Sequence, residues 1–266
     1  MDVMDEIARR GLLLLGCGKM GSAMLAGWLA RGVRPASVSV IDPAPSEWLR
    51  GTGVRLGAPG DAPAVAIIAV KPQMMDEALP ALRGDALYVS VAAGVPIARL
   101  EAALGDGARI VRAMPNTPAA VGQGITAIVA NAAAGAEGLD AAETLLSAVG
   151  EVVRLDDEDQ IDAVTAVSGS GPAYAFHLIE TMTAGGVAEG LSEPLARRLA
   201  TATVAGAGAL AMQAEEDAAQ LRVNVTSPNG TTQAALEVLM DPSRGFPALV
   251  PEAVAAAARR SRELRG

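Results

Sequence analysis

The sequence predicts an α/β fold, a doubly wound and mostly parallel sheet followed by an all-α C-terminal domain. Three observations carry that prediction. Short Val/Ile/Leu runs alternate with helical patterns through about residue 155, as successive βαβ units require. Beyond Asp156-Asp157-Glu158-Asp159 the chain changes to long Ala-rich segments with no convincing strand among them. Hydrophobic residues make up 51% of the chain and aromatic residues only 2%, so the apolar filling is Ala, Leu and Val, which suits closely packed helices and parallel strands.

In chain order, strands are expected at Leu12–Leu15, Val38–Ile41, Val65–Val70, Leu87–Val91, Arg109–Ala113, Ile125–Val129 and Val152–Leu155. A helical pattern from Met20 to Arg31 follows the first of them, and further helices are expected over 170–190, 193–213, 229–240 and 247–264. The acidic run at 156–159 reads as a solvated helix start, since carboxylates favour helix N-termini and water. It divides the 266 residues into two domains, 1–156 and 157–266, each of ordinary size. No internal repeat of fixed period is visible.

Charge and cysteine content narrow the function classes. A net charge of −9 with no basic stripe opposes nucleic-acid phosphates and anionic lipid, leaving a small molecule as the expected partner. One cysteine permits no internal disulfide, and Cys17 with His177 falls short of a zinc site, so no metal is expected and a cytoplasmic location fits. Arg9-Arg10 before Leu12–Leu15 superficially resembles an export signal. The run is too short, Gly16, Gly18 and Lys19 interrupt it, and no stretch approaches the roughly 20 apolar residues of a membrane span.

Gly16-Cys17-Gly18-Lys19-Met20-Gly21 lies between an apolar strand and a helical segment, the context in which G-x-G-x-x-G signals a dinucleotide. Gly16 makes the tight turn, Gly18 lets backbone approach a pyrophosphate, and Gly21 lets helix pack on strand, while the helix start offers N–H groups to the anion. Asp42, at the end of the second strand, is placed to hold the adenine ribose hydroxyls. Lys19 can meet the pyrophosphate or a 2′-phosphate. Cys17 reads as a small filler, since nothing nearby offers a resolving thiol.

Ligands of open α/β sheets bind beyond the carboxyl ends of strands, which draws attention to Lys71-Pro72, Ala92-Ala93-Gly94 and Met114-Pro115-Asn116-Thr117-Pro118. Small residues at 92–94 would let a nicotinamide ring approach backbone, and Asn116 offers donor and acceptor to a ribose or carboxamide. In the helical half, Ser168-Gly169-Ser170-Gly171-Pro172-Ala173-Tyr174 and Thr226-Ser227-Pro228-Asn229-Gly230-Thr231-Thr232 each open a helix with more hydroxyls than capping needs. Both suit an anion, and the second is the better carboxylate site.

Taken together, Gly16–Gly21, Ala69-Val70-Lys71-Pro72, Arg112–Pro118, Ser168–Tyr174 and Ser227–Thr232 resemble, in order and spacing, the pyrroline-5-carboxylate reductase family. The likeness covers nearly the whole chain. It implies an N-terminal Rossmann-type domain, a helical C-terminal domain that dimerises, often with further assembly into a decamer, and reduction of 1-pyrroline-5-carboxylate to L-proline, the last step of proline biosynthesis, with NADPH or NADH. By position it assigns the cofactor to Gly16, Gly18, Lys19, Met20, Gly21, Lys71, Pro72, Ala93 and Asn116. The substrate carboxylate falls to Ser227, the backbone at Gly230 and Thr231, and Thr232, with the Thr232 hydroxyl near the imine nitrogen as the catalytic group. Asn229 replaces the usual first glycine of Ser-Pro-Gly-Gly-Thr-Thr, and it is the non-glycine residue that best tolerates φ > 0. Val223, Ala184 and Ala202 also depart from the family pattern, at helical positions.

A protonated cyclic imine accepts hydride without a metal or covalent intermediate, so few titrating residues are needed. His177 is accordingly expected to be packed or capping, and Tyr174 structural. The rival enzyme reading, a β-hydroxyacid dehydrogenase or ketopantoate-type reductase, resembles this plan but uses a lysine in the helical domain, and no lysine follows Lys71. A dinucleotide sensor without catalysis is the rival of another class. Retention of the hydroxyl-rich loop argues against it.

Overall fold

The strands near the sheet's centre are apolar on both faces because helices cover both. In the computed structural model, which describes residues 2–82 and 84–265, β1 (Leu12–Leu15) alternates strictly: Leu12 and Leu14 enter one core cluster, Leu13 and Leu15 the other. β4 (Val65–Ile68) does the same with Val65 and Ile67 against Ala66 and Ile68. A period of two with no polar member is the mark of a strand buried on both sides.

Around them lie β2 (Val38–Ile41), β3 (Arg55–Leu56), β5 (Leu87–Ser90), β6 (Arg109–Met114), β7 (Gly124–Ala130) and β8 (Gly150–Arg154), in the order β3-β2-β1-β4-β5-β6-β7-β8. Every pairing is parallel except β6 with β7. The chain goes from β1 outward to β3 and then returns to place β4 on the other side of β1, so the topological switch point lies between β1 and β4. The sequence located seven of these strands; β3, two exposed residues long, it missed.

α1 (Val3–Arg10) was also missed, although Asp2 caps it, Asp5 and Glu6 occupy its first turn and Arg9 and Arg10 its last. α2 (Lys19–Ala30) buries Trp28, whose indole N–H donates to the Leu145 carbonyl at 2.9 Å. That carbonyl lies in α6 (Gly135–Leu146), and a Cβ on Gly27 would come 2.8 Å from the Ala148 carbonyl oxygen just beyond it. Close helix approach therefore requires glycine at 27. The remaining helices of this part are α3 (Glu47–Gly51), α4 (Met75–Ala78), α5 (Ile97–Leu104) and α7 (Gln160–Val164).

Packing divides the chain into two units, one running through Gly169 and taking back the chain from Ala258 onward, the other Ser170–Ala257. The sequence-based boundary at 156/157 falls between the end of β8 and the start of α7. In the first unit the returning chain is tied by Ser261, whose hydroxyl donates to buried Asp162 at 2.6 Å, and by Arg265, which meets Asp159 at 2.8 Å and Asp162 at 3.0 Å. The second unit is helical: α8 (Gly171–Ala188), α9 (Glu193–Gln213), α10 (Ala218–Asn224), α11 (Thr231–Leu239) and most of α12 (Phe246–Leu264). α8 packs on α9, and a Cβ on Gly186 would touch Ala196 at 3.1 Å. Among the described residues no helix is long and apolar enough to cross a membrane.

Candidate active site

The three glycines of the turn after β1 differ in what they face. Gly16 has φ +89°, and a Cβ there would stand 2.9 Å from the Ala69 carbonyl oxygen. A Cβ on Gly21 would press on the carbonyl of Gly16. Both glycines are required by the protein's own packing. Gly18 differs: it is exposed, and a Cβ there meets nothing within 4 Å. It caps α2 with no side-chain hydrogen bond, so the first N–H groups of that helix have no side-chain partner. An open glycine beside an uncapped positive helix end fits a pyrophosphate, which needs close backbone approach and N–H donors.

Lys19 is exposed and Met20 half-buried at the first turn of α2. The Cys17 thiol is pushed up to about 11, by burial first and then by the Asp42 carboxylate. It is a neutral filler at physiological pH. Asp42 is engaged within the fold: one carboxylate oxygen accepts from the Cys17 N–H at 2.7 Å and the other from the Ala44 N–H at 2.8 Å. Each oxygen keeps a lone-pair direction for a further donor.

Parallel pairing of β1, β4, β5 and β6 sends their carboxyl ends to one edge of the sheet. Gly16, Lys71-Pro72, Ala93 and Asn116 follow those ends and Asp42 leaves the same edge from β2, so this edge carries every cofactor residue assigned from the sequence. β4 stops at Ile68, two residues before its expected end, as the chain turns into extended Lys71 ahead of Pro72. Lys71 and Ala93 are exposed there. Asn116 is buried, its Oδ1 accepting from the Ile125 N–H at 2.9 Å and its Nδ2 donating to the Ser168 carbonyl at 3.2 Å. The carboxamide thus fastens the start of β7 and a π-helical turn at Thr165–Gly169. Sequence gave no sign of that turn, a geometry that recurs at functional sites.

In the second unit, Thr226 turns its hydroxyl back to the Arg222 carbonyl at 2.6 Å, and the Gly230 N–H closes on the Ser227 carbonyl at 3.0 Å. Asn229 has φ 59°, the left-handed conformation expected where it replaces glycine, and its N–H donates to Gln233 at 2.8 Å. α11 then opens with Gly230 at the cap and no side-chain cap bond. The hydroxyls of Ser227, Thr231 and Thr232 make no hydrogen bond within the described residues. Three free hydroxyls at a positive helix end can grip a carboxylate.

Two side chains do not stand as the sequence suggests. His177, expected to be packed or capping, is exposed on α8 with Nδ1 2.9 Å from Glu180, three residues along the helix. Glu158, expected to be solvated, accepts from buried Arg112 at 2.5 Å and from the Ile97 N–H at 2.9 Å. A buried cation recruits the carboxylate across the fold, a pairing with no local signal. Among the described residues no three His, Cys, Asp or Glu side chains gather as a metal site.

A doubly wound sheet with an open glycine turn at its switch point defines the first unit as a dinucleotide-binding domain of the kind found in oxidoreductases. Residues 12–94 match the profile described as NADP oxidoreductase coenzyme F420-dependent, and residues 158–264 that described as pyrroline-5-carboxylate reductase dimerisation. A protein of Pseudomonas aeruginosa named pyrroline-5-carboxylate reductase is 46% identical over 95% of this chain and 96% of its own. Its namesake from Synechocystis is 43% identical over 94% and 97%. The solved pyrroline-5-carboxylate reductase of Coxiella burnetii superposes with a TM-score of 0.89 at 33% identity, covering 97% of this chain and 99% of that one. The Plasmodium falciparum pyrroline carboxylate reductase, solved with NADP bound, gives 0.83 at 28% identity over 97% and 99%. The chain belongs to the pyrroline-5-carboxylate reductase family.

Proposed function

We propose that this chain reduces 1-pyrroline-5-carboxylate to L-proline with NAD(P)H, the last step of proline biosynthesis. Beside family membership, the observation that carries the reading is the Ser227–Thr232 loop, whose free hydroxyls and uncapped helix start suit a small carboxylate. The reduced nicotinamide supplies a hydride. The chain's own part is to bind, orient and stabilise charge.

In this reading Gly18 and the start of α2 seat the pyrophosphate, with Gly16 and Gly21 shaping the turn and Lys19 and Met20 bordering it. Lys71, Pro72, Ala93 and Asn116 line the nicotinamide side. Since the Asn116 carboxamide is engaged by Ile125 and Ser168, its backbone is the better contact. Ser227, the backbone that turns at Gly230, whose own N–H is engaged by the Ser227 carbonyl, the free N–H of Thr231, and Thr232 hold the carboxylate, and the Thr232 hydroxyl hydrogen-bonds the ring nitrogen as the imine carbon accepts hydride. Residues 1–156 serve the dinucleotide and 157–266 serve substrate and self-association. The exposed apolar side chains of α9, Leu195, Leu199, Leu210 and Met212, support a homodimer, which can assemble further to a decamer. The lone cysteine, with no disulfide to form, is in keeping with a cytoplasmic home.

Steady-state reduction of 1-pyrroline-5-carboxylate with NADH and NADPH in parallel tests the reading. Proline formation coupled to dinucleotide oxidation is expected with at least one donor. Absence of turnover with both would overturn it.

A further inference from the structure

We infer that Asp42, locked in place by the glycine turn it borders, makes this chain select NADH over NADPH. The inference rests on the reading that Gly16–Gly21 seats a dinucleotide, and adds which dinucleotide. Asp42 follows directly on β2, where a side chain meets the adenine ribose in a doubly wound fold. Its two oxygens accept from N–H groups of two separate segments, Cys17 at 2.7 Å and Ala44 at 2.8 Å. The Gly16 N–H adds a third tie, to the Ile41 carbonyl at 2.8 Å. Asp42 therefore cannot swing aside to admit a bulky anion without breaking both of its bonds.

The charge around it reinforces the selection. An ionised carboxylate is acceptor-only, so its remaining lone pairs match the donors of a ribose 2′-hydroxyl and oppose a phosphate, itself an acceptor of nearly two negative charges. The five residues that follow, Pro43, Ala44, Pro45, Ser46 and Glu47, contain no cation to offset it. Ser46 is engaged in capping, accepting from the Leu49 N–H at 3.2 Å, and exposed Glu47 adds a second negative charge. Lys19 is exposed at the first position of α2, the helix start to which the pyrophosphate is assigned. Both dinucleotides carry that group, so the ammonium favours them alike.

The test is binding, not turnover, which keeps it apart from the question of the imine. NADH and NADPH are titrated separately onto the wild-type protein and onto Asp42→Ala, Asp42→Asn and Glu47→Gln variants, following nicotinamide fluorescence. NADH is expected to bind the wild type at least about tenfold more tightly than NADPH, the scale set by a phosphate beside one fixed carboxylate near water. Both Asp42 variants should narrow that ratio by most of the same factor, Glu47→Gln by less, and added salt should narrow it in the wild type. Equal affinities in the wild type, tighter NADPH, or a ratio unchanged in the Asp42 variants would overturn the inference, the last by reducing Asp42 to a clamp that serves both cofactors equally. Binding of neither dinucleotide would overturn the inference and the cofactor reading beneath it. Tight NADH binding without imine reduction would instead uphold the selection and leave only the substrate reading refuted.

Discussion

Alanine at Gly18 should separate cofactor binding from folding, because that glycine faces open space while its neighbours face the protein. A Cβ at 18 meets nothing within 4 Å, and φ −71° with ψ −158° is extended backbone that any L residue adopts. Restricting the unfolded chain favours alanine by about 0.4–1 kcal/mol, and loss of a glycine cap, which alanine replaces poorly, opposes this by about 0.5–1 kcal/mol. Tm should therefore move by no more than about 2 °C. A pyrophosphate resting on that backbone would meet the new methyl group and be held off the helix N–H groups. Losing one charge-assisted hydrogen bond costs about 1.5–3 kcal/mol, which raises Kd roughly 10- to 100-fold. Gly16→Ala and Gly21→Ala invert the pattern. The first forces alanine to φ +89° at 2.9 Å from the Ala69 carbonyl oxygen, and the second drives a methyl into the Gly16 carbonyl. Each should cost about 1–3 kcal/mol, or roughly 2–12 °C in Tm. Dinucleotide titration and thermal denaturation on the three variants supply both readouts. Wild-type affinity in Gly18→Ala would show that no pyrophosphate passes over this residue.

Three further outcomes follow from the same geometry. Thr232→Ala should lower kcat by about tenfold or more, the worth of one hydrogen bond made as charge shifts at nitrogen, whereas Ser227→Ala should mainly raise KM; unchanged kinetics in Thr232→Ala would refute its role. Glu158→Ala strands the Arg112 guanidinium, whose side chain is only 3% exposed, and should cost about 3 kcal/mol, or roughly 6–12 °C in Tm, with Arg112→Met/Glu158→Leu recovering part of it. With its pKa raised to about 11, the Cys17 thiol stays neutral and should alkylate slowly at pH 8, reaction rising only toward that value instead of the usual ~8.5. The same shift has a sign for stability: the neutral thiol's contribution is intact below the unfolded value and is lost as pH rises from there to about 11. Alkylation rates against pH, native and denatured, decide it.

What the sequence made legible was periodic or local. β1 and β2 fall where the apolar runs end, α9 runs over 193–213 as its pattern does, and the glycine turn sits between strand and helix. α10 was missed despite a readable signal, Asp217 three residues before Gln220, whose N–H it caps at 2.8 Å. Other features had no signal to read. Asp42 reaches Cys17 across 25 positions, Glu158 reaches Arg112 across 46, and Ser261 reaches Asp162 across 99. Each bond is made by tertiary packing that brings a buried donor to the nearest available acceptor, and residue spacing does not encode it. For this reason Asp42 and Asn116 were legible as site residues while the atoms that occupy their side chains were not.

α1, α3 and α10 are capped from within, by Asp2, Ser46 and Asp217, which satisfy N–H groups that would otherwise depend on water. α2 and α11 have glycine at that position, Gly18 and Gly230, and no side-chain bond. Glycine at a cap leaves the donors unsatisfied and removes the side chain that would stand between them and an anion. One such start follows the sheet's first strand, where a pyrophosphate is expected; the other follows the hydroxyl loop, where a carboxylate is expected. The two anions differ in size, and the surroundings differ accordingly: Gly18 opens onto bare space, whereas Gly230 lies 3.0 Å, by its would-be Cβ, from the Ser227 carbonyl oxygen. The first helix start suits a long dinucleotide passing over backbone, and the second a small group held among hydroxyls.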